Sequence, residues 1–222
     1  CTATNVLGNA PSARVKGLEA SFEVYPTENF TVRGGAAYLN GRYGKFANAT
    51  GTGVNPTGTV GIVVSTTNPL FNYPNQTQTQ DWSGLQMARA PKFTANLGLE
   101  YNVPSGEGGL KFNGHANYPT SYVVTNPSIW CQPLASNGQC GAGKANAIPA
   151  TLQRKQRFRQ AGYAMLSASV TWTDPKGHFY VQAYGNNLTD RRIKQHYTGT
   201  AAGTYYPMAE PRTYGARVGY KF

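Results

Sequence analysis

Side chains able to do chemistry gather in a few stretches of the chain. Arg154, Lys155, Arg157 and Arg159 form the densest basic run, with Phe158 inside it, and Arg191, Arg192 and Lys194 form a second group. Guanidinium and ammonium groups at this density suit a phosphate or another anion through charge-assisted hydrogen bonds. The plainer reading is the solvated end of a strand. Asn68, Phe71, Tyr73, Asn75, Gln76, Gln78, Gln80 and Trp82 bring rings and amides together. Such a stretch can stack on and hydrogen-bond to an aryl or sugar surface, or pack as a polar loop on itself. Tyr73, Trp82 and Trp130 are the rings that would meet a ligand, and Arg154 and Arg157 the cations that would meet an anionic one.

Cys131 and Cys140, with Gly138 between them, suit a small disulfide loop in an oxidising compartment. A metal site would need further Cys or His close by, and the neighbourhood holds none. Cys1 is left over: it is either a lipidated terminal cysteine or half of a disulfide with upstream chain, and the topology below favours the second. Gly138 to Lys144 spells the start of a phosphate-binding loop, but Ala145 stands where a magnesium-ligating hydroxyl belongs, with no strand before it and no helix pattern after it. His115, His178 and His196 show neither triad spacing nor a metal motif. These readings lead to the expectation of no enzyme, no metal and no cofactor.

Composition narrows the class. Hydrophobic residues make up 40% of the 222, charged residues only 13%, and there are 26 Gly and 15 Tyr. Few charges and many aromatics argue against disorder. The longest apolar run, Val60 to Val64, contains a Gly and falls far short of the roughly 20 residues of a spanning helix. A mean hydropathy of -0.45 therefore excludes a helical membrane protein but not a membrane β-barrel, whose strands are apolar on one face only. The net charge of +11 admits nucleic acid, anionic head groups or acidic chain elsewhere as partner. The cations are scattered, without a basic helix, zinc spacing or RNA-binding signature, so nucleic acid ranks last.

Seven segments alternate with the period of a strand: Val15 to Tyr25, Phe30 to Tyr38, Phe93 to Val103, Leu110 to Tyr118, Ala164 to Trp172, Phe179 to Asn187 and Tyr214 to Phe222. The third is the clearest. It sets Phe93, Ala95, Leu97, Leu99, Tyr101 and Val103 against Thr94, Asn96, Gly98, Glu100 and Asn102. In a sandwich the apolar faces would meet; in a membrane barrel they meet lipid while the polar faces line a lumen. Phe30, Tyr38, Tyr101, Tyr118, Trp172 and Tyr220 fall near segment ends, where a barrel carries its aromatic girdles.

Connection lengths favour the barrel. Pro26 to Asn29, Pro104 to Gly109 and Asp174 to Gly177 are tight turns rich in Gly and Pro. The alternate connections, roughly Asn40 to Pro91, Thr120 to Gly162 and Leu188 to Glu210, are long. Compact domains rarely hold loops beyond about 15 residues, whereas outer-membrane barrels pair short periplasmic turns with long extracellular loops. Seven is an odd count, and bacterial single-chain barrels are even. Either an eighth strand hides in Val54 to Val64, as in a small self-contained structural or adhesin-type barrel, or the segment belongs to a larger one. With short turns periplasmic, residues 1 to 14 fall in an extracellular loop, and Lys155, Arg159, Arg191 and Arg192 fall at the outer rim facing lipopolysaccharide phosphate. Arg33, Glu100, Lys111, His115 and Arg217 face the lumen.

Leu166-Ser-Ala-Ser-Val-Thr-Trp172, Phe179-Tyr-Val-Gln-Ala-Tyr184, Gly185-Asn-Asn-Leu-Thr-Asp190 and Glu210-Pro-Arg-Thr-Tyr-Gly-Ala-Arg-Val-Gly-Tyr-Lys-Phe222 resemble the C-terminal end of TonB-dependent outer-membrane receptors. So do Gly17-Leu-Glu-Ala-Ser-Phe-Glu-Val-Tyr-Pro26 and Ala90-Pro-Lys-Phe-Thr-Ala-Asn-Leu97. The resemblance implies a plugged barrel of about 22 strands, residues 1–222 being its C-terminal part, with plug domain, TonB box and earlier strands absent from this chain. It implies uptake of a scarce ligand, often a ferric siderophore, driven by the TonB energy complex through the plug. It further implies that Phe222 helps the barrel-assembly machinery recognise the last strand.

Overall fold

The computed structural model describes residues 10–54, 61–63, 70–72, 75–105, 108–125, 159–199 and 204–221. Every regular element among them is a strand. Seven build one wall: β1 (Ala13–Thr27), β2 (Phe30–Tyr43), β7 (Phe93–Ser105), β8 (Gly108–Pro119), β11 (Met165–Thr173), β12 (Phe179–Asn186) and β15 (Thr213–Tyr220). The rest are short: β3 (Ala49–Val54), β4 (Gly61–Val63), β5 (Leu70–Asn72), β6 (Asn75–Gln80), β9 (Tyr122–Val123), β10 (Arg159–Gln160), β13 (Thr198–Gly199) and β14 (Thr204–Tyr205). The wall order is β1-β2-β7-β8-β11-β12-β15, each strand antiparallel to its neighbour in sequence. All three long connections therefore leave from one end of the wall and all three tight turns from the other. The sheet does not close on itself among the described residues, and β1 and β15 are its two edges.

The register carries the alternation straight across the sheet. Val24, Val32, Leu99, Gly114, Ala168, Gly185 and Tyr214 form one row; Glu100, Asn113, Ser169, Tyr184 and Gly215 form the next on the opposite face. A slip of one residue would exchange the two faces, so the pattern itself holds the register. Leu18 is 80% exposed and Val218 66% exposed, and Phe22, Tyr101, Phe112 and Trp172 are exposed beside them. In a sandwich these side chains would be the core. Among the described residues the buried apolar ones are Ala49, Trp82, Val123, Val124, Ile193 and Tyr197, none of them in a wall strand. An exposed apolar band of this extent is the face a barrel presents to hydrocarbon.

Aromatic rings border the band. Near the tight turns Phe30 meets Tyr101 edge-on at 6.0 Å and Trp172 meets Phe179 at 6.3 Å. Near the long connections Leu18, Tyr38 and Phe93 lie in one row. Tyr38 stands eight residues beyond Phe30, about 20 Å of height at about 3.4 Å per residue and a 40° tilt, close to the apolar band of an outer-membrane barrel.

The turns close by local bonding. At the β11–β12 turn the Asp174 carboxylate accepts from the amides of Phe179 at 2.6 Å and Lys176 at 3.2 Å, and Gly177 takes φ +74°. These donors stabilise the charged carboxylate and hold its pKa below the ordinary value. The eighth strand sought in Val54 to Val64 does not join the wall: β4 pairs only with β5, as a separate two-stranded ribbon.

Candidate functional site

The polar face of the wall is organised by charge. Arg33 reaches Glu23 at 3.4 Å, and Lys111 reaches Glu100 at 2.8 Å. Asn102 donates to the Glu100 carboxylate at 3.4 Å and Gln182 to Thr171 Oγ1 at 3.0 Å. The Arg217 guanidinium lies 4.6 Å from the Tyr184 ring centre. Of these, Arg33, Glu100, Gln182, Tyr184 and Arg217, together with His115, Asn113 and Ser169, line a recess of about 400 Å³. The lumen-facing residues expected from alternation, Arg33, Glu100, Lys111, His115 and Arg217, thus share one surface.

Above the wall the described parts of the long connections form a cap with its own core. Trp82 packs against Tyr43 and Phe46 at 5.8 and 5.3 Å between ring centres. Its amide donates to the Phe46 carbonyl at 2.9 Å. Gln86 is buried and donates to the Ala90 carbonyl at 2.6 Å. Arg89, at φ +55°, donates its amide to Val123 at 2.7 Å and its guanidinium to the Gln195 carbonyl at 3.0 Å. The first and last long connections are joined there.

Between Arg89, Tyr122, Tyr163 and Lys194 opens a cleft of about 620 Å³, bordered by Pro119 and Met165, which continue the polar faces of β8 and β11. Lys194 Nζ donates to the Arg159 carbonyl at 3.1 Å and lies 5.5 Å from the Tyr206 ring. The Arg159 guanidinium donates to Ser121 Oγ at 2.9 Å. Burial pulls the pKa of both cations down from their ordinary values. Tyr163, half-buried and hydrogen-bonded to Tyr122, has its phenol pushed up to about 12 and stays neutral. Lys194, its water partly stripped, stands with Arg89 and the rings of Tyr122 and Tyr163, a surface for an anionic ligand.

The residues singled out in the sequence fall in different places. Trp82 is 7% exposed, and the face it would offer a ligand is taken by Tyr43 and Phe46. Arg159 stands on the β9–β10 ribbon, half-buried in the cap, because its strand pairs with the buried Val123. Arg191 and Arg192 are exposed just past the turn after β12. Tyr73, Trp130, Cys131, Cys140, Arg154, Lys155, Arg157 and Phe222 lie outside the described residues. Arg89, Tyr122 and Tyr163 carried no sequence signal, being single residues in polar or apolar surroundings.

Among the described residues no three His, Cys, Asp or Glu side chains are grouped to hold a metal. No helix among them is long and apolar enough to cross a membrane, a statement silent about barrels.

Comparison with known proteins agrees with this architecture. The family described as TonB dependent receptor-like, beta-barrel matches residues 1–188. The siderophore receptor PiuA of Acinetobacter baumannii superposes with a TM-score of 0.54 at 18% identity, over 95% of this chain and 22% of PiuA. The ferric enterobactin receptor PfeA of Pseudomonas aeruginosa, in complex with BCV-L6, gives 0.52 at 15% identity, over 96% and 23%. The chain thus spans under a quarter of either structure. No curated protein matches it in sequence. With its seven-stranded meander, lipid-type outer face and matched residues, the chain belongs to the TonB-dependent receptor-like β-barrel family, a family of outer-membrane transport receptors rather than enzymes.

Proposed function

We propose that this chain is the C-terminal wall of a larger TonB-dependent receptor and that its cap captures an anionic iron chelate of the siderophore class. The observation that carries the reading is the cleft of Arg89, Lys194, Tyr122 and Tyr163 at the mouth of a polar-faced wall. Capture there brings a ligand to the lumen side, where Arg33, His115 and Arg217 continue the polar lining. Release into the periplasm falls to a plug in the rest of the receptor and to the TonB complex, and the long connections face the cell exterior. The names of PiuA and PfeA support iron chelates as the ligand class. The open edges β1 and β15 favour a larger barrel over a small self-contained one, since lipid does not tolerate unpaired strand edges.

The test uses the intact receptor in its host. Uptake of ⁵⁵Fe-loaded catecholate, hydroxamate and citrate chelates is measured with and without the TonB complex, in the natural protein and in Arg89→Ala/Lys194→Ala. The expected result is TonB-dependent uptake of one chelate and a tenfold or greater loss of affinity in the double variant. Uptake of none of them, or binding indifferent to both cations, overturns the reading. So does a parent protein of this chain's own mass.

A further inference from the structure

From Phe46 to Gln80 the chain carries no charged residue, although the whole holds 20 Lys and Arg and 9 Asp and Glu. Inside this stretch β3 and β6 pair antiparallel, position by position, from Ala49 with Gln80 to Val54 with Asn75. The base of the ribbon is fixed in the cap. The Trp82 amide donates to the Phe46 carbonyl at 2.9 Å, and Ala49 is buried. Among the described residues β3 and β6 pair only with each other, so each keeps one unpaired edge.

The two edges differ. β3 holds Gly51 and Gly53, and Gly weakens a strand. β6 reads Asn-Gln-Thr-Gln-Thr-Gln, with neither Gly nor Pro. Exposed edges are ordinarily guarded by charge, Pro or a bulge, and β6 has none of these. Its residues alternate symmetrically about Gln78. An antiparallel copy centred there sets Gln78 against Gln78, Thr77 against Thr79 and Gln76 against Gln80. Like then meets like on both faces, and Thr–Thr pairs and Gln ladders both favour a sheet. Charge selects the same place. With a net +11 on this chain, two copies repel over much of their surface, and the uncharged ribbon is where they approach at least cost.

We propose that β6 is a self-pairing edge, on which a second copy of the receptor lays its own β6 antiparallel about Gln78, joining two ribbons into one sheet. The joint is short, so it forms among receptors crowded in one membrane rather than in dilute solution. Two receptors in one membrane are related by an axis along its normal, so in the joint the ribbons lie along the cell surface. The inference rests on the proposed outer-membrane orientation, in which the long connections are exterior. It is independent of the cap cleft and of its ligand.

The experiment uses the intact receptor in its host. Copper phenanthroline with oxygen cross-links neighbouring thiols on whole cells, and dimers are read on non-reducing gels. The natural protein sets the background of its own cysteines. Heat-modifiable migration verifies folding, and a membrane-impermeant maleimide verifies that each introduced thiol is exterior. The expected result is at least tenfold more dimer from Gln78→Cys than from the natural protein. Gln76→Cys or Gln80→Cys alone should stay at background, because position 76 of one copy faces position 80 of the other; co-expressing the two should restore the dimer. Adding Gln76→Lys/Gln80→Lys to Gln78→Cys should cut its dimer at least tenfold. No dimer from a labelled Gln78→Cys, equal dimer from Gln76→Cys alone, or indifference to the lysines overturns the proposal. A Gln78→Cys that the maleimide does not reach overturns the exterior orientation and the proposal with it. If the lysine variant does not fold, the cysteine series is read by the same criteria.

Discussion

The side-chain amide of Asn187 donates to the backbone carbonyl of Glu210 at 3.2 Å, clamping the chain after β12 to the chain entering β15. The same Nδ2 donates to the Arg191 carbonyl, and Oδ1 accepts from the Arg191 amide, each at 2.9 Å. Asn187 is 4% exposed and sits at φ +48°, a conformation Asn tolerates better than most residues. Three residues on, Asp190 faces Arg212 at 3.9 Å. The Asn-Leu-Thr-Asp and Pro-Arg-Thr-Tyr-Gly stretches are therefore two halves of one fastening.

Asn187→Ala is expected to lower stability by about 2–3 kcal/mol, because buried backbone groups lose their partners. Asn187→Asp, which keeps the acceptor but not the donors, should fall between. The midpoint of heat-modifiable migration of the intact barrel reads both.

Gly108 and Gly109 start β8 side by side, yet they should respond in opposite ways. Gly108 is at φ +117°, and a Cβ there would strike the Thr173 carbonyl of β11; a Cβ at Gly109 meets nothing within 4 Å. Gly108→Ala is expected to cost about 1–3 kcal/mol from backbone strain alone and to reduce the assembled yield, with Gly109→Ala near neutral. Comparing the two yields in outer-membrane fractions checks this.

Two groups give pH signatures of opposite sign. The Asp174 carboxyl has a folded pKa below the ordinary value. Its contribution is present above the unfolded pKa of about 3.9 and is lost as pH falls through the folded one. Asp174→Asn should flatten the acid limb of a stability–pH curve. The Tyr163 phenol, pushed up to about 12, contributes fully below the unfolded pKa of about 10 and loses that contribution as pH rises through the folded value. The absorbance change at the phenolate band should show a late-titrating component that Tyr163→Phe reduces.

Trp82→Ala is expected to destabilise the cap by about 3–5 kcal/mol through the cavity it leaves, while strand content of the wall persists. Trp82→Phe should leave chelate affinity within twofold, because the ring contacts Tyr43 and Phe46. Limited proteolysis of the cap follows the first and chelate titration the second.

The wall was legible from the residues because alternation is a backbone property that lipid and lumen enforce on every strand. Phe93 to Val103 shows this best: β7 extends it only to Ser105. The bounds differ most at the rim. β2 continues from Tyr38 to Tyr43 because pairing goes on after the apolar face ends. The ribbons in the long connections were not legible, since Ala49–Val54 and Asn75–Gln80 pair small and polar residues without an apolar side. The cap cleft was not either. Arg89 and Lys194 stand 105 positions apart, and their neighbourhood comes from long-range contacts such as the Arg89 hydrogen bonds to Val123 and Gln195. Trp82 shows the converse: its chemistry was visible, but whether its ring faced water was not.

Each plank of the wall touches only the planks made just before and just after it. Removing or duplicating one two-plank unit would leave every remaining seam intact and change only the girth of the tube. Such a scaffold can widen or narrow over generations in steps of two, and under the proposed function its passengers would be chosen elsewhere, in the excursions above.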